Sequence, residues 1–548
     1  MSDQRLRSER SERSQYSPPA APPELAGTQA MQSTPNAPVA QAAPTRQIGF
    51  SRPPLPVEDL PTPEEVFKTR RVGLQELLLF ILGPSVIALG ISLGSGEWLL
   101  APLNISRLGF RGIGWVIFAS IILQVFYNIE LARYTLATGE SPIAGFGRVP
   151  PGYLLWVPLA LLCFFTAFLL GGWTVSAGEA LFALFSGRSY QPGEELGTVR
   201  ILGLGLMVSI FLILMAGGTR LTGGSRKIER LLEAIHAIYL PYILIGLFLI
   251  TLVVVPLNFW GQSLFWFVVP ARPPGGSDPS TLGALAGFAA LASGLNFMFI
   301  GYYRDKGYGM GSKTGFIAPL LSANQPSMPN VGVTFPENEV NAARWRRWFR
   351  YLVIDQWGIF FVGAVLGIFL PSLLVAYLTS SPSVTPAQSA SMMTYAAQLL
   401  RQTYGPIVSG WMLLTGFLLL YGTQMIVLEL LARNFTDAAF AVSPRLRRLA
   451  RQDPRRLYFP ALIGIMVLVG LFIHIQPPAQ LLLISANLSN FAALLFPLAL
   501  IYLNSQLPRP ARLRWWSVLT LLLNMAFFGF FFINFLWTQI NGTPLVVF

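Results

Sequence analysis

Beyond about residue 70 the chain alternates long apolar runs with short polar ones. Eleven of the runs are about as long as a membrane-crossing helix requires, roughly 20 largely apolar residues. They lie near 75–105, 112–135, 152–186, 200–218, 229–256, 281–303, 348–378, 406–433, 456–475, 478–505 and 513–539. Two runs are interrupted near their middle. The first reads GPSVIALGISLGSGEWLL from Gly83 to Leu100, with Gly94-Ser95-Gly96-Glu97 close to its centre. Glycine and serine weaken helix continuity, and a carboxylate at that depth must face protein, water or a cation. The sixth reads LGALAGFAALASGLNFMFIGYY, interrupted by Ser293-Gly294-Leu295-Asn296. Four whole spans separate the two, so the second set of five enters the membrane in the opposite sense to the first. Backbone that leaves the helix at membrane depth persists only where it lines a cavity or is enclosed by protein. The pattern therefore predicts an all-α polytopic membrane protein with a five-plus-five inverted repeat, an eleventh transmembrane helix, and a site where the broken helices meet.

The segment before these runs, residues 1–70, is rich in Pro, Ala, Ser, Gln and Arg. It has no apolar core of signal-peptide length and too little apolar surface to fold, which predicts a disordered tail ahead of a transmembrane domain at 71–548. Composition agrees: the chain is 53% hydrophobic and only 11% charged, against about 25% charged in soluble domains. The net charge of +13 does not read as a nucleic-acid footprint, because the basic residues collect in alternate connections. Lys68, Arg70 and Arg71 precede the first span; Arg220, Arg226, Lys227 and Arg230, then Arg344, Arg346, Arg347 and Arg350, then Arg445, Arg447 and Arg448 fill later even-numbered connections. By the positive-inside rule the N-terminus is expected in the cytoplasm and Phe548 outside, in an inner or plasma membrane. The single cysteine, Cys163, excludes an intramolecular disulfide and argues against a thiolate metal site.

The polar residues inside the spans supply the candidate chemistry. Glu97 is the one acid in either broken segment before Arg304. Gln124 and Asn128 on the second span, and Asn487 and Asn490 on the tenth, are candidate pathway residues, with interhelical hydrogen bonding the competing role for the tenth-span pair. Glu130 and Arg133 have ion-pair spacing, and Glu429, Arg433 and Asp437 recur every four residues as a helix-face ladder. Glu229, Glu233 and His236 open the fifth span and read as a solvated helix end. Asp355 and Gln356 lie near the inner end of the seventh. No zincin histidine pair, Walker loop or nucleophile elbow is present, so no enzyme activity and no cofactor are expected.

The stretch GPSVIALGISLGSGEW resembles the first helix of the Nramp family of divalent-metal transporters, whose pattern is GPG followed by DPGNW. The tenth span, SANLSNFAALLFPLALIYLNS, is similar to that family's ANLSQ-type helix. The resemblance implies a LeuT-type fold with a metal bound between the broken helices. Aligned on Gly83-Pro84 and Trp98, Gly94 stands where the family has its metal-binding Asp and Glu97 where it has Asn. Aligned on Asn296, Ser293 stands at the family's Met and Leu295 at its His, and the proton-carrying acids of the third helix become Leu170 and Trp173. Loss of the thioether and of the proton path is similar to the magnesium-carrying branch of Nramp-related proteins. The expected cargo is accordingly a divalent cation, magnesium or manganese ahead of iron, moved without stoichiometric proton coupling. Its expected ligands are the Glu97 carboxylate, carbonyls at Gly94 and Leu291, the Ser293 hydroxyl and the Asn296 amide. The expected partners are that ion and the lipid bilayer, with no nucleic acid. A LeuT-fold carrier of a small organic solute, and a membrane sensor or scaffold that transports nothing, are the competing readings.

Overall fold

In the computed structural model the described residues are 53–69, 83–94, 96–168, 172–191, 193–216, 227–275, 277–320, 329, 331–380, 392–475 and 478–546. They fold into helices. The first span consists of α2 (Pro84–Ser92) and α3 (Gly96–Leu108), bent by 41° at their junction. There follow α4 (Gly114–Thr138), α5 (Tyr153–Phe168), α6 (Trp173–Ser186), α7 (Leu196–Ala216) and α8 (Ile228–Val254). The sixth span comes in three pieces: α10 (Pro279–Phe288), α11 (Ala292–Phe299) and α12 (Gly301–Lys306). The remaining spans are α13 (Glu339–Leu378), α15 (Pro406–Val442), α16 (Arg455–Phe472), α17 (Pro478–Ser505) and α18 (Trp515–Asn541). Among the described residues eight helices are each long and apolar enough to cross a bilayer, and the bent pair α2/α3 makes a ninth. With the segmented third and sixth spans this gives the eleven expected from hydropathy. The eleventh helix, α18, packs along α17 and α10.

Among the helices between spans, the two longest were not anticipated. These are α9 (Leu257–Val268) and α14 (Met392–Tyr404). Helix α14 turns Met392, Met393, Ala396, Ala397 and Leu400 inward and leaves Arg401, Gln402 and Thr403 in solvent, the stripe of a helix lying on a surface rather than crossing it.

Part of the segment expected to be disordered is folded. Residues 1–52 lie outside the described residues, but 53–69 are ordered against the bundle end that carries the arginine-rich connections. Thr62 and Glu65 form a capping box that starts α1 (Pro63–Phe67). Arg344 donates to the Leu60 carbonyl, Trp348 Nε1 to that of Pro61, and Arg148 to that of Pro53. Arg347 pairs with Glu64. Burial acts to raise the Glu64 carboxyl, and the Arg347 hydrogen bond, a backbone hydrogen bond and the Arg347 charge together outweigh it and hold the group below its usual range. Phe67 packs on Tyr308 and Trp348. Such a segment needs no core of its own, because its partners are on α13, at the end of the sixth span and at Arg148 after the second.

Beneath it lies a buried ion-pair network that accounts for the charged sequence Arg304-Asp305-Lys306. Arg433, fully buried, pairs with both Glu429 and Asp305. Arg304 pairs with Asp305 and with Asp437. The expected ladder along α15 is thus realised only at Glu429–Arg433, since Asp437 turns to the sixth span. Lys306 pairs with Glu233, which Arg230 also meets. Glu229, Glu233 and His236 are 2%, 5% and 0% exposed, so they are enclosed rather than a solvated helix end. The packing of α8 against α2 and α12 encloses them.

Candidate functional site

The first break forms as the sequence leads one to expect. Helix α2 ends at Ser92, Leu93 leaves helical geometry, and α3 begins with one π-helical turn, Gly96–Leu100. A π turn inside a helix often marks a functional position. Ser95 lies outside the described residues. Gly96 has no room for a side chain: a Cβ there would stand 2.0 Å from the Phe288 carbonyl oxygen. That contact brings the first break directly against the last residue of α10, and so against the second break.

The second break is displaced from its expected position. It falls at Ala289–Leu291, and α11 runs unbroken through Asn296. Ala290 adopts a left-handed backbone with φ of 71°, which costs a residue with a Cβ. Side chains from other spans hold the freed amides. The Ala290 N–H donates to Glu97 Oε1 (2.9 Å) and the Leu291 N–H to Gln124 Oε1 (2.9 Å). Gln124 Nε2 in turn donates to the Ala289 carbonyl. Gln124 therefore replaces the missing helical turn on both its donor and its acceptor side. Gln124→Leu leaves a buried N–H and a buried carbonyl without these partners, at about 1–3 kcal/mol per group. The expected result is a clearly lower thermal midpoint for the purified variant, and an unchanged midpoint would refute this role.

Glu97 is 1% exposed. Besides Ala290, it accepts from the Ser92 hydroxyl at Oε1 and from the Gly94 N–H at Oε2, both at 3.3 Å. One carboxylate thus joins the two broken segments. It lines a cavity of about 10 Å³, room for a single water or bare ion, together with Ser92, Trp173, Phe288, Leu291 and Thr423. The Gly94 carbonyl accepts from the Trp98 N–H (2.9 Å), and so already has one partner. The Ser293 side chain lies outside the described residues. Among the described residues, no three of His, Cys, Asp or Glu converge in a way that could hold a metal.

Asn296 heads a chain of amides. Its Nδ2 donates to Gln124 Oε1 (3.2 Å) and Asn128 Oδ1 (2.7 Å), while its Oδ1 is buried with no hydrogen-bond partner. Asn128 Nδ2 donates to Gln356 Oε1 (3.0 Å), and Gln356 Nε2 to Ser85 Oγ (3.0 Å) and Tyr303 Oη (2.8 Å). The Tyr303 and Ser85 hydroxyls both donate to Asp355 Oδ2, in the π-helical stretch Asp355–Phe361 of α13. Gln124 and Asn128, four residues apart on one face of α4, are the part of this chain a sequence can show. Asn487 and Asn490 stand elsewhere: they donate to the carbonyls of Ser280 and Gly283 (both 2.9 Å) and brace α17 against α10.

No family model matches the chain, and no curated protein does. Solved structures do. A crystal structure of the Eremococcus coleocola manganese transporter, in complex with an aromatic bis-isothiourea substituted compound, superimposes with a TM-score of 0.56. The match covers 88% of this chain and 92% of that one, at 14% sequence identity. A mutant of the same transporter gives 0.55 over 89% and 90%, also at 14% identity. MhsT in complex with L-phenylalanine gives 0.44 over 82% and 98%, at 16% identity. The likeness to the first two establishes architecture: the chain is an integral membrane protein with a LeuT-type five-plus-five inverted repeat and an eleventh transmembrane helix.

Proposed function

We propose that the protein carries a divalent cation across the membrane by alternating access at the two breaks. In this reading residues 53–69 and the arginine-rich connections face the cytoplasm of a cell bounded by a plasma or inner membrane. The observation that carries the reading is Glu97, one carboxylate enclosed where two broken helices cross, in a cavity the size of an ion. The Asn296 Oδ1, a buried acceptor without a donor, supplies a second oxygen, and the Ser293 hydroxyl and the carbonyls of Gly94 and Leu291 complete the proposed set. The shared architecture with a manganese transporter supports the choice of cargo. A hard dication suits all-oxygen ligands. The decisive experiment is uptake of Mg²⁺ and Mn²⁺ into liposomes containing only this protein.

Oxygen-only ligation has a consequence for selectivity. Cadmium gains from thioether, thiolate or imidazole, and none of these stands at the proposed ligand positions. Excess Cd²⁺ is therefore expected to inhibit Mn²⁺ uptake weakly. Inhibition by Cd²⁺ at concentrations well below that of Mn²⁺ would refute the ligand set.

One observation favours a second cargo class. A single acid beside Trp173 and Phe288, with no second carboxylate among the described residues lining its cavity, suits an organic ammonium as well as a dication. Uptake of a labelled amine, with no cation uptake in the same vesicles, would select that reading.

A further inference from the structure

The break cavity is the innermost of three cavities strung along one face of α6 and one face of α15. Trp173 lines the first. Ser176 and Glu179 line the second, about 20 Å³, with Thr394 and Trp98. Ala183 and Ser186 line the third, a vestibule of about 330 Å³ that also borders Thr394. On α15 the same order runs through Thr423, then Gly416, then Ser409. Residues three and four apart on a helix share a face, so both helices present a continuous wall from the vestibule to Glu97. The vestibule lies at the end of the bundle opposite the arginine-rich connections.

The middle cavity has the makings of a site. Glu179 brings a half-buried carboxylate near the Tyr190 hydroxyl. The Ser176 hydroxyl, 2% exposed, has no hydrogen-bond partner. Trp98 closes the inner side. A Cβ at Gly416 would stand 2.4 Å from its indole nitrogen, so the glycine lets the ring approach α15 closely. Trp98 borders the middle cavity and Glu97 the break cavity, so one residue step in α3 divides them. At the rim, Arg188 is neutralised by Glu195, while Arg401 rests on the Gly187 carbonyl.

We infer that Glu179, with the Ser176 hydroxyl and Thr394, is a first binding station at which an inorganic dication halts before passing Trp98 to Glu97. This rests on the cation reading proposed above. The station adds attraction where the rim, with Arg401, offers none. Thr394 borders both the middle cavity and the vestibule, so a dication reaching the station meets the same hydroxyl from either side.

Two measurements test it. In liposomes, Glu179→Gln is expected to raise the KM for Mn²⁺ about tenfold with little change in kcat, the signature of lost ground-state binding. An unchanged KM overturns the inference. Separately, Mn²⁺ binding to detergent-purified protein is followed by electron paramagnetic resonance. Glu97→Gln is expected to retain one weak Mn²⁺ site that the double variant E97Q/E179Q lacks. If Glu97→Gln binds no Mn²⁺, or if the double variant binds as well as the single one, the station does not exist. Wild-type vesicles that take up neither Mn²⁺ nor Mg²⁺ would defeat the transport reading alone, since the binding comparison still decides the station.

Discussion

Glu97→Gln is expected to lower cation uptake by about 30-fold or more, since losing one partner of a buried charge interaction costs on the order of 2–5 kcal/mol. The substitution preserves size and one oxygen. Its amide oxygen can still accept from Ala290, but its NH₂ then meets the Gly94 N–H that Oε2 accepts from. The variant should therefore lose a modest part of its stability, about 1–3 kcal/mol, beside a far larger loss of flux. A purely structural Glu97 predicts the opposite proportion, with stability falling and residual uptake per folded molecule intact. Flux in liposomes and thermal midpoint, measured on the same preparations, separate the two. Full uptake by a stable Glu97→Gln protein would end the ion-site reading. Glu97→Asp keeps the charge and shortens its reach to Ala290, and a partial defect is expected.

The second large effect is expected at Arg433, far from the break. Arg433→Met removes the cation that Glu429 and Asp305 share in a fully buried setting. Breaking a buried pair from one side costs about 3–5 kcal/mol, because the remaining charges are left uncompensated. Arg304 still meets Asp305, so Glu429 is the more exposed to the loss, with the Tyr302 hydroxyl as its other partner. The thermal midpoint should fall steeply, and adding Glu429→Gln should restore part of it. A single variant that melts with the wild type, or a double variant that is worse than the single, would show that the network does not hold these spans together.

The span count, the repeat and the first break were legible because hydropathy and local chemistry determine them. Gly94, Gly96 and Glu97 disfavour a continuous apolar helix through their own side chains or lack of them. The second break was legible only as to its span. Ala289-Ala290-Leu291 is a good helix sequence, and what opens it lies 193 residues away at Glu97 and 167 residues away at Gln124. Ser293-Gly294 looked the weaker point, yet with those acceptors placed the helix resumes at Ala292. Distance in the chain also hid the partners of Arg433 and Asp437, whose spacing within α15 is real but whose charges are shared with Arg304 and Asp305. Residues 53–69 misled through composition. A proline-rich stretch cannot fold alone, and the side chains that hold it, Arg344, Arg347 and Trp348, belong to another helix.

The amide series from Asn296 to Asp355 has a polarity. Each hydrogen bond from Asn296 through Asn128, Gln356 and Tyr303 is donated toward Asp355, as an anion at the tail requires. Carboxamides can exchange oxygen and nitrogen by rotation, but the reverse wiring would turn the Asn296 oxygen toward Gln124 Oε1, which the Leu291 N–H already fixes as an acceptor. The acceptor Asp355 at the tail and the acceptor Gln124 Oε1 at the head therefore select the same wiring. In that wiring Asn296 spends its NH₂ on Gln124 and Asn128 and keeps its oxygen free. An acid at one end of the series and a carboxamide pinned by the broken backbone at the other thus agree that the head displays a lone pair instead of a proton.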